Sequence, residues 1–174
     1  MKTLVIANSR RIRKAIPIIE SKIKIKINYN LRRVSITGKE LNEFLAEQML
    51  IAVDFGFNVE DALLLKNENF VLEFVNIKDY ARRKNLEEIR GRVIGRQGKA
   101  KMTIEELSGG VLAINNNQIG VIVDSEHLDA VIQGLISLIK GAKHSNVFSY
   151  LEKQNANLRE LDEDDLGLKL EKKD

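Results

Sequence analysis

Gly91-Arg92-Val93-Ile94-Gly95-Arg96-Gln97-Gly98-Lys99 is the stretch on which the reading of this chain turns. A helical pattern precedes it, capped by Asn85 and running through Leu86, Ile89 and Val93. A second follows it over Lys99–Leu107, with Met102, Ile104 and Leu107 apolar. Glycine has no Cβ, so a ligand can lie directly against its amide. The amides that open the next helix add the positive end of its dipole. Arg90, Arg92, Arg96, Lys99 and Lys101 add full charges. The chemistry indicated is recognition of phosphate. Two nucleotide-enzyme patterns fail against it. The Walker pattern needs Ser or Thr after the lysine, where Ala100 stands, and glycine five positions before Gly98, where Val93 stands. The dinucleotide pattern needs one residue between its first two glycines, and Gly91 and Gly95 are separated by three.

Working outward, Ser108-Gly109-Gly110 stops the second helix. Val111–Ile114 and Ile119–Val123 read as a hairpin around Asn115-Asn116-Asn117. Asp124-Ser125 then cap a long helix burying Leu128, Val131, Ile132, Leu135 and Ile139, which Gly141 closes. A strand over Val71–Ile77 precedes the first helix. The first half runs in a related order. Thr3–Ala7 reads as a strand, and Ser9 caps a helix that Pro17 either interrupts or kinks. Lys22–Asn28 alternates, with Ile23, Ile25 and Ile27 facing one side and Lys22, Lys24 and Lys26 the other. Tyr29-Asn30 is the expected turn into a strand over Arg33–Thr37. Thr37 and Glu40 have capping-box spacing before a helix expected to bury Leu41, Phe44, Leu45, Met49 and Ala52. Gly56 ends it, and Asn58 caps a further helix over Val59–Lys66. The segments Lys22–Phe55 and Val111–Ala142 superimpose with a shift of about 87 residues, the mark of duplication. Upstream the copies differ, because the first lacks roughly one helix and the glycine loop.

The Ile-Gly-x-x-Gly pattern, with apolar Val93-Ile94 before it and Lys99 after it, resembles the loop of a type I KH domain, which clamps about four nucleotides of single-stranded nucleic acid. Thr103-Ile104-Glu105-Glu106 extends the likeness. So do Leu138-Ile139-Lys140-Gly141-Ala142-Lys143-His144 and Val147-Phe148-Ser149-Tyr150-Leu151-Glu152. Together they resemble the second KH domain of the ribosome-assembly KH proteins of archaea and eukaryotes, the partner-of-Nob family, and the archaeal form most closely. The resemblance implies an α+β fold of two tandem type I KH-like domains, each a three-stranded sheet packed by helices. The first, residues 1–69, is degenerate and lacks GxxG. The second spans 70–153, and 154–174 is an acidic tail expected to be disordered. It implies a factor that binds single-stranded small-subunit rRNA near its 3′ end and assists a Nob-type endonuclease. The alpha subunit of translation initiation factor two is a further implied partner. In the second domain Gly95 and Gly98 are expected to allow close phosphate approach, with Arg96 and Gln97 projecting toward the backbone. Arg90, Arg92, Lys99 and Lys101 are expected to supply charge. Ile94, Val111 and Ala113 read either as apolar groove floor for bases or as ordinary core.

Composition bounds the alternatives. The chain has 174 residues, no cysteine, two histidines and a net charge of +3. Disulfide scaffolds and cysteine catalysis are excluded, and a histidine-rich metal site is disfavoured. No apolar stretch approaches the ~20 residues of a membrane span, and the N-terminus is too polar for a signal-peptide core, so a cytoplasmic protein is expected. The small net charge hides two basic blocks, net +9 over residues 1–33 and net +6 over 82–103. Such blocks attract polyanions, although a lysine run is equally a solvated face. His144, Phe148 and Tyr150 read as a docking surface or as packing of a C-terminal helix. Leu158, Leu161, Leu166, Leu168 and Leu170 could fold on a partner. A nuclease built on Asp162, Glu163, Asp164 and Asp165 lacks a scaffold to hold an ion. A pure protein adaptor is the remaining contrast, and the intact glycine loop argues against it. No cofactor, metal or catalytic residue is expected.

Overall fold

This computed structural model describes residues 1–82 and 84–165, with side chains as far as Leu161. It is α+β, with two three-stranded antiparallel sheets of the same topology. In the first, β1 (Lys2–Val5) and β2 (Ile25–Asn30) flank β3 (Arg33–Gly38). In the second, β4 (Phe70–Asn76) and β5 (Val111–Asn115) flank β6 (Gln118–Asp124). The helices are α1 (Ser9–Lys22), α2 (Glu40–Phe55), the one-turn α3 (Val59–Ala62) and α4 (Ile77–Tyr80), α5 (Leu86–Ile94), α6 (Lys99–Ser108), α7 (Ser125–Lys140) and α8 (His144–Asp165).

The chain divides into two compact units. One holds Met1–Asn76 with Gly110–Asp124, and the other Ile77–Gly109 with Ser125 onward. The sheet of the second repeat therefore groups with the first repeat. The reason is visible in the register. Ile122 belongs to the apolar cluster of Ile12, Ile19, Val34, Ile36, Met49 and Leu50, and Val111 and Ala113 pack against that cluster. A Cβ at Gly120 would stand 2.7 Å from Phe57 Cε2 and 2.8 Å from Phe55 Cε1. Glycine is what lets the two rings close over the strand. The Asn115 amide donates to the Phe55 carbonyl at 2.7 Å beside them. Residues Ile119–Val123 are all buried, so both faces of this central strand are covered.

The duplication is sharper than the sequence shows. Leu31 and Asn116 are both left-handed, at φ 56° and 52°, and lie 85 residues apart. The starts of α2 and α7, and their ends, are also 85 apart. The expected shift of 87 arose from placing the first turn at Tyr29-Asn30. Those residues end β2, and Leu31-Arg32 make the turn, because Asn30 pairs with Arg33. Three further expectations are corrected. Thr37 lies in β3 and caps nothing. Gly38 N–H instead donates to Glu43 at 3.0 Å, and Glu43 also pairs with the N-terminal amine at 3.2 Å. Leu41 and Phe44 are exposed, and α2 buries Ala46, Met49, Leu50, Ala52 and Val53. Pro17 lies inside α1 and does not interrupt it.

In the second unit, α7 and α8 meet at Gly134, where a Cβ would lie 3.2 Å from Val147. Val147 and Leu151 are buried, and Asn155 donates to the Leu107 carbonyl at the end of α6. That spacing continues α8 through residues expected to be a disordered tail. Leu158 is half-buried and Leu161 exposed, while Leu166, Leu168, Leu170 and the side chains of Asp162–Asp165 lie outside the described residues. Among the described residues, no helix is long and apolar enough to cross a membrane.

Two outcomes follow from this packing. Gly120→Val should cost about 1–3 kcal/mol by overpacking Phe55 and Phe57. Urea denaturation checks this, and an unchanged midpoint would mean that the rings simply swing aside. The bond from Gly38 N–H, followed by the N-terminal amine, holds the Glu43 carboxyl below its ordinary value. A depressed native pKa contributes stability that is present above the unfolded value of about 4.3 and is lost as pH falls through the native one. Glu43→Gln should therefore be less stable at pH 7 yet lose less on acidification, read as melting temperature against pH.

Candidate nucleic-acid interface

The glycine loop is built from its two flanking helices. Asn85 caps α5 by accepting from Glu88 N–H at 3.2 Å, and Ile89 and Val93 bury its inner face. Gly95 ends it, its N–H donating to the Gly91 carbonyl at 2.8 Å. The chain then passes through Gly95 at φ 75° and ψ 173°, Gln97 at φ 55° and Gly98 at φ 75° before α6 begins. The two glycines answer to different constraints. A Cβ on Gly95 would lie 2.5 Å from Ala100 Cβ and 2.7 Å from Ala100 N, and its backbone is in a region essentially reserved for glycine. At Gly98 a Cβ would meet nothing within 4 Å. The space over Gly98 is open to a ligand, and its backbone is ordinary left-handed helix.

The polar and charged side chains sort into two groups. Arg96, Gln97 and Lys99 are exposed around the loop. Arg92 is turned inward, with Nη2 donating to the Ala142 carbonyl at 2.6 Å and Nε buried without a partner among the described residues. Lys101 pairs with Glu105 at 3.0 Å along α6. Arg90 is half-buried and makes a polar interaction of its own. The expected five-cation loop therefore presents Arg96 and Lys99 most directly. Ile94 is 37% exposed at the end of α5. Val111 and Ala113 belong to the other unit, where their side chains pack against its core.

Sequence reasoning did not place two side chains of α8, His144 and Phe148, beside the loop. They line one open recess with Gly95, Arg96, Lys99, Ala100 and Thr103. They are about fifty residues downstream, so no local pattern pointed to that neighbourhood. The other unit has its own cationic cluster. Arg13 of α1 lies over the Tyr29 ring at 5.0 Å. A hydrogen bond from Ser9, then hydrogen bonding and charge from Arg13 with charge from Arg32, hold the Tyr29 phenol below its ordinary value. Residues from α1 and the β2–β3 turn thus converge on one phenol of β2.

Known proteins are similar to this chain. Residues 71–156 match the family of the second KH domain of PNO1, a eukaryotic-type KH domain of type I. A KH domain-containing protein of Methanocaldococcus jannaschii is 29% identical over 148 residues, which are 81% of this chain and 65% of that protein. The pre-rRNA-processing protein pno1 of Emericella nidulans is 27% identical over 154 residues, 83% of this chain and 60% of its own length. The chain thus spans a little under two thirds of these curated relatives. Dim2p from Pyrococcus horikoshii, a crystal structure, is 30% identical with a TM-score of 0.77, covering 87% of this chain and 98% of that one. A chain of the a/eIF2alpha–aDim2p–rRNA complex from the same organism is 28% identical with a TM-score of 0.79, covering 90% and 94%.

The loop geometry makes a direct contrast testable. Gly95→Ala should cost about 3 kcal/mol or more, read as a fall in melting temperature, because the clash with Ala100 adds to backbone strain of about 1–3 kcal/mol. Gly98→Ala should cost only the left-handed penalty of about 1–2 kcal/mol, with no steric clash added. Equal effects would contradict the different roles assigned to the two glycines.

Proposed function

The chain belongs to the PNO1-type, or Dim2p, family of KH proteins, and from that premise we propose that it is an RNA-binding factor in maturation of the small ribosomal subunit. Its ligand is single-stranded rRNA near the 3′ end of that subunit's RNA, clamped by the Gly95–Gly98 loop of a second KH domain spanning 70–153. It performs no catalysis itself and assists a Nob-type endonuclease in the cytoplasm. The observation that carries this reading is the loop: open space over Gly98, with exposed Arg96, Gln97 and Lys99 around it and the first turn of α6 behind it. Phosphates can approach the uncovered backbone at Gly98 and two full charges at one place. The relatives named for pre-rRNA processing and the rRNA in the archaeal complex support the ligand class. That complex also supports the alpha subunit of translation initiation factor two as a partner.

A second reading is a protein adaptor in translation initiation or RNA processing that docks partners through the first domain, residues 1–69. One feature favours it. Leu4, Val5 and Ile6 line an open recess of about 330 Å³ with Leu50, Ile51 and Phe55, and Val5 is 77% exposed.

The deciding variant is Gly98→Asp. Asp is among the residues that adopt left-handed backbone, and its Cβ would meet nothing within 4 Å, so the loop should keep its shape while gaining a negative charge. A like charge about 4 Å from a phosphate costs roughly 1–4 kcal/mol at effective dielectrics of 80 to 20, so affinity for a 3′-terminal small-subunit rRNA oligonucleotide should fall about fivefold or more. Fluorescence anisotropy measures this, and unchanged affinity with an intact fold sinks the reading in favour of the adaptor. Arg13→Ala with Arg32→Ala tests the basic cluster of the other unit. If it touches backbone, the slope of log K against log salt should fall by about 0.7 per phosphate lost.

A further inference from the structure

A KH loop without an aromatic side chain has charge but no platform on which a base can stack. The fold supplies one from α8. The His144 ring donates from Nε2 to the Arg92 carbonyl at 2.8 Å, since a carbonyl oxygen only accepts. Arg92 Nη2 returns a bond to the Ala142 carbonyl at 2.6 Å. Two bonds in opposite senses therefore pin the start of α8 to the end of α5, next to the glycine loop. His144 and Phe148, one helical turn apart, hold their rings 6.0 Å between centroids at 55°. Their side of α8 faces an open recess of about 240 Å³. Its floor is small, with Gly95 and Ala100, and Arg96 and Lys99 stand at its edge. The Thr103 hydroxyl is already committed to the Lys99 carbonyl at 2.9 Å.

Packing of α8 does not require the Phe148 ring in this place. Val147 and Leu151 are the buried anchors of that helix, and Asn155 ties it to α6. Phe148 is only half-buried and lines a recess that shares Gly95, Arg96 and Lys99 with the RNA loop. We propose that this recess is an accessory nucleobase subsite, in which a base of the RNA held by the loop stacks on Phe148 while Arg96 and Lys99 hold the adjoining phosphate. Continuity with the loop and the cationic edge select a nucleotide as occupant. Stacking on a ring face tolerates any base, so the subsite contributes affinity and register rather than sequence choice. The inference rests on the RNA-binding reading above.

The test uses the full chain and a single-stranded oligonucleotide from the 3′ end of small-subunit rRNA, with 2-aminopurine placed at successive positions. Phe148→Leu keeps an apolar side chain of similar bulk and removes the ring face, whereas Phe148→Tyr keeps the ring. Leu should weaken binding by roughly five- to a hundredfold, and Tyr should bind nearly as the parent does. One 2-aminopurine position should be quenched in the parent and in Tyr and lose its quenching in Leu. If Gly98→Asp weakens binding but Leu does not, and no position is quenched, the subsite is overturned and the recess takes another occupant, such as an apolar side chain of a protein partner. If the parent chain does not bind the oligonucleotide at all, the RNA-binding reading fails and takes this inference with it.

Discussion

The glycine loop, and everything arranged around it, depends on one close approach, the backbone of Gly95 against the first turn of α6. With Ala100 N only 2.7 Å from where a Cβ would stand, the loop leaves α5, runs through three positive-φ residues and enters α6 within four positions. That tightness leaves Gly98 uncovered and places Arg96 and Lys99 around it. A side chain at Gly95 would push α5 and α6 apart and disperse those groups.

The same economy organises the two repeats. Both sheets place the third strand of the repeat in the centre, and hairpin and helix repeat at an interval of 85 residues. Between the first two strands the copies diverge. The first spends that segment on a single 14-residue helix, α1, and the second on α5, the glycine loop and α6. The first copy thus has no counterpart of the glycine loop, and its cations Arg13 and Arg32 lie near Tyr29 instead. At Gly120 and Ile122 the second sheet became part of the first repeat's core.

Tertiary structure also redistributes the charge. Five cations flank the loop in sequence. Arg92 is consumed in holding the start of α8, and Lys101 is paired with Glu105. Arg92 still matters for the interface, because the helix it holds is the one that brings His144 and Phe148 to the loop's side.

The order of strands and helices was legible because glycine stops and period-two or period-3.6 apolar patterns are local signals. The loop was legible because Gly95, Gly98 and the helices around them are adjacent in sequence. The first hairpin turn was not, since Leu31 adopts a left-handed conformation that its side chain does not advertise. The buried face of α2 was misjudged because Leu41 and Phe44 are apolar yet exposed, and the first-turn acid Glu43 is buried by its bonds to Gly38 and the N-terminus. The extension of α8 past residue 154 was hidden because its tie to α6 runs through a polar Asn155. By itself, then, the sequence determined a duplicated α+β chain with one glycine loop flanked by cations. Only the tertiary structure decided which cations face solvent there, and that an aromatic pair some fifty residues away stands beside the loop. Those outcomes depend on packing between distant segments, for which no local periodicity exists.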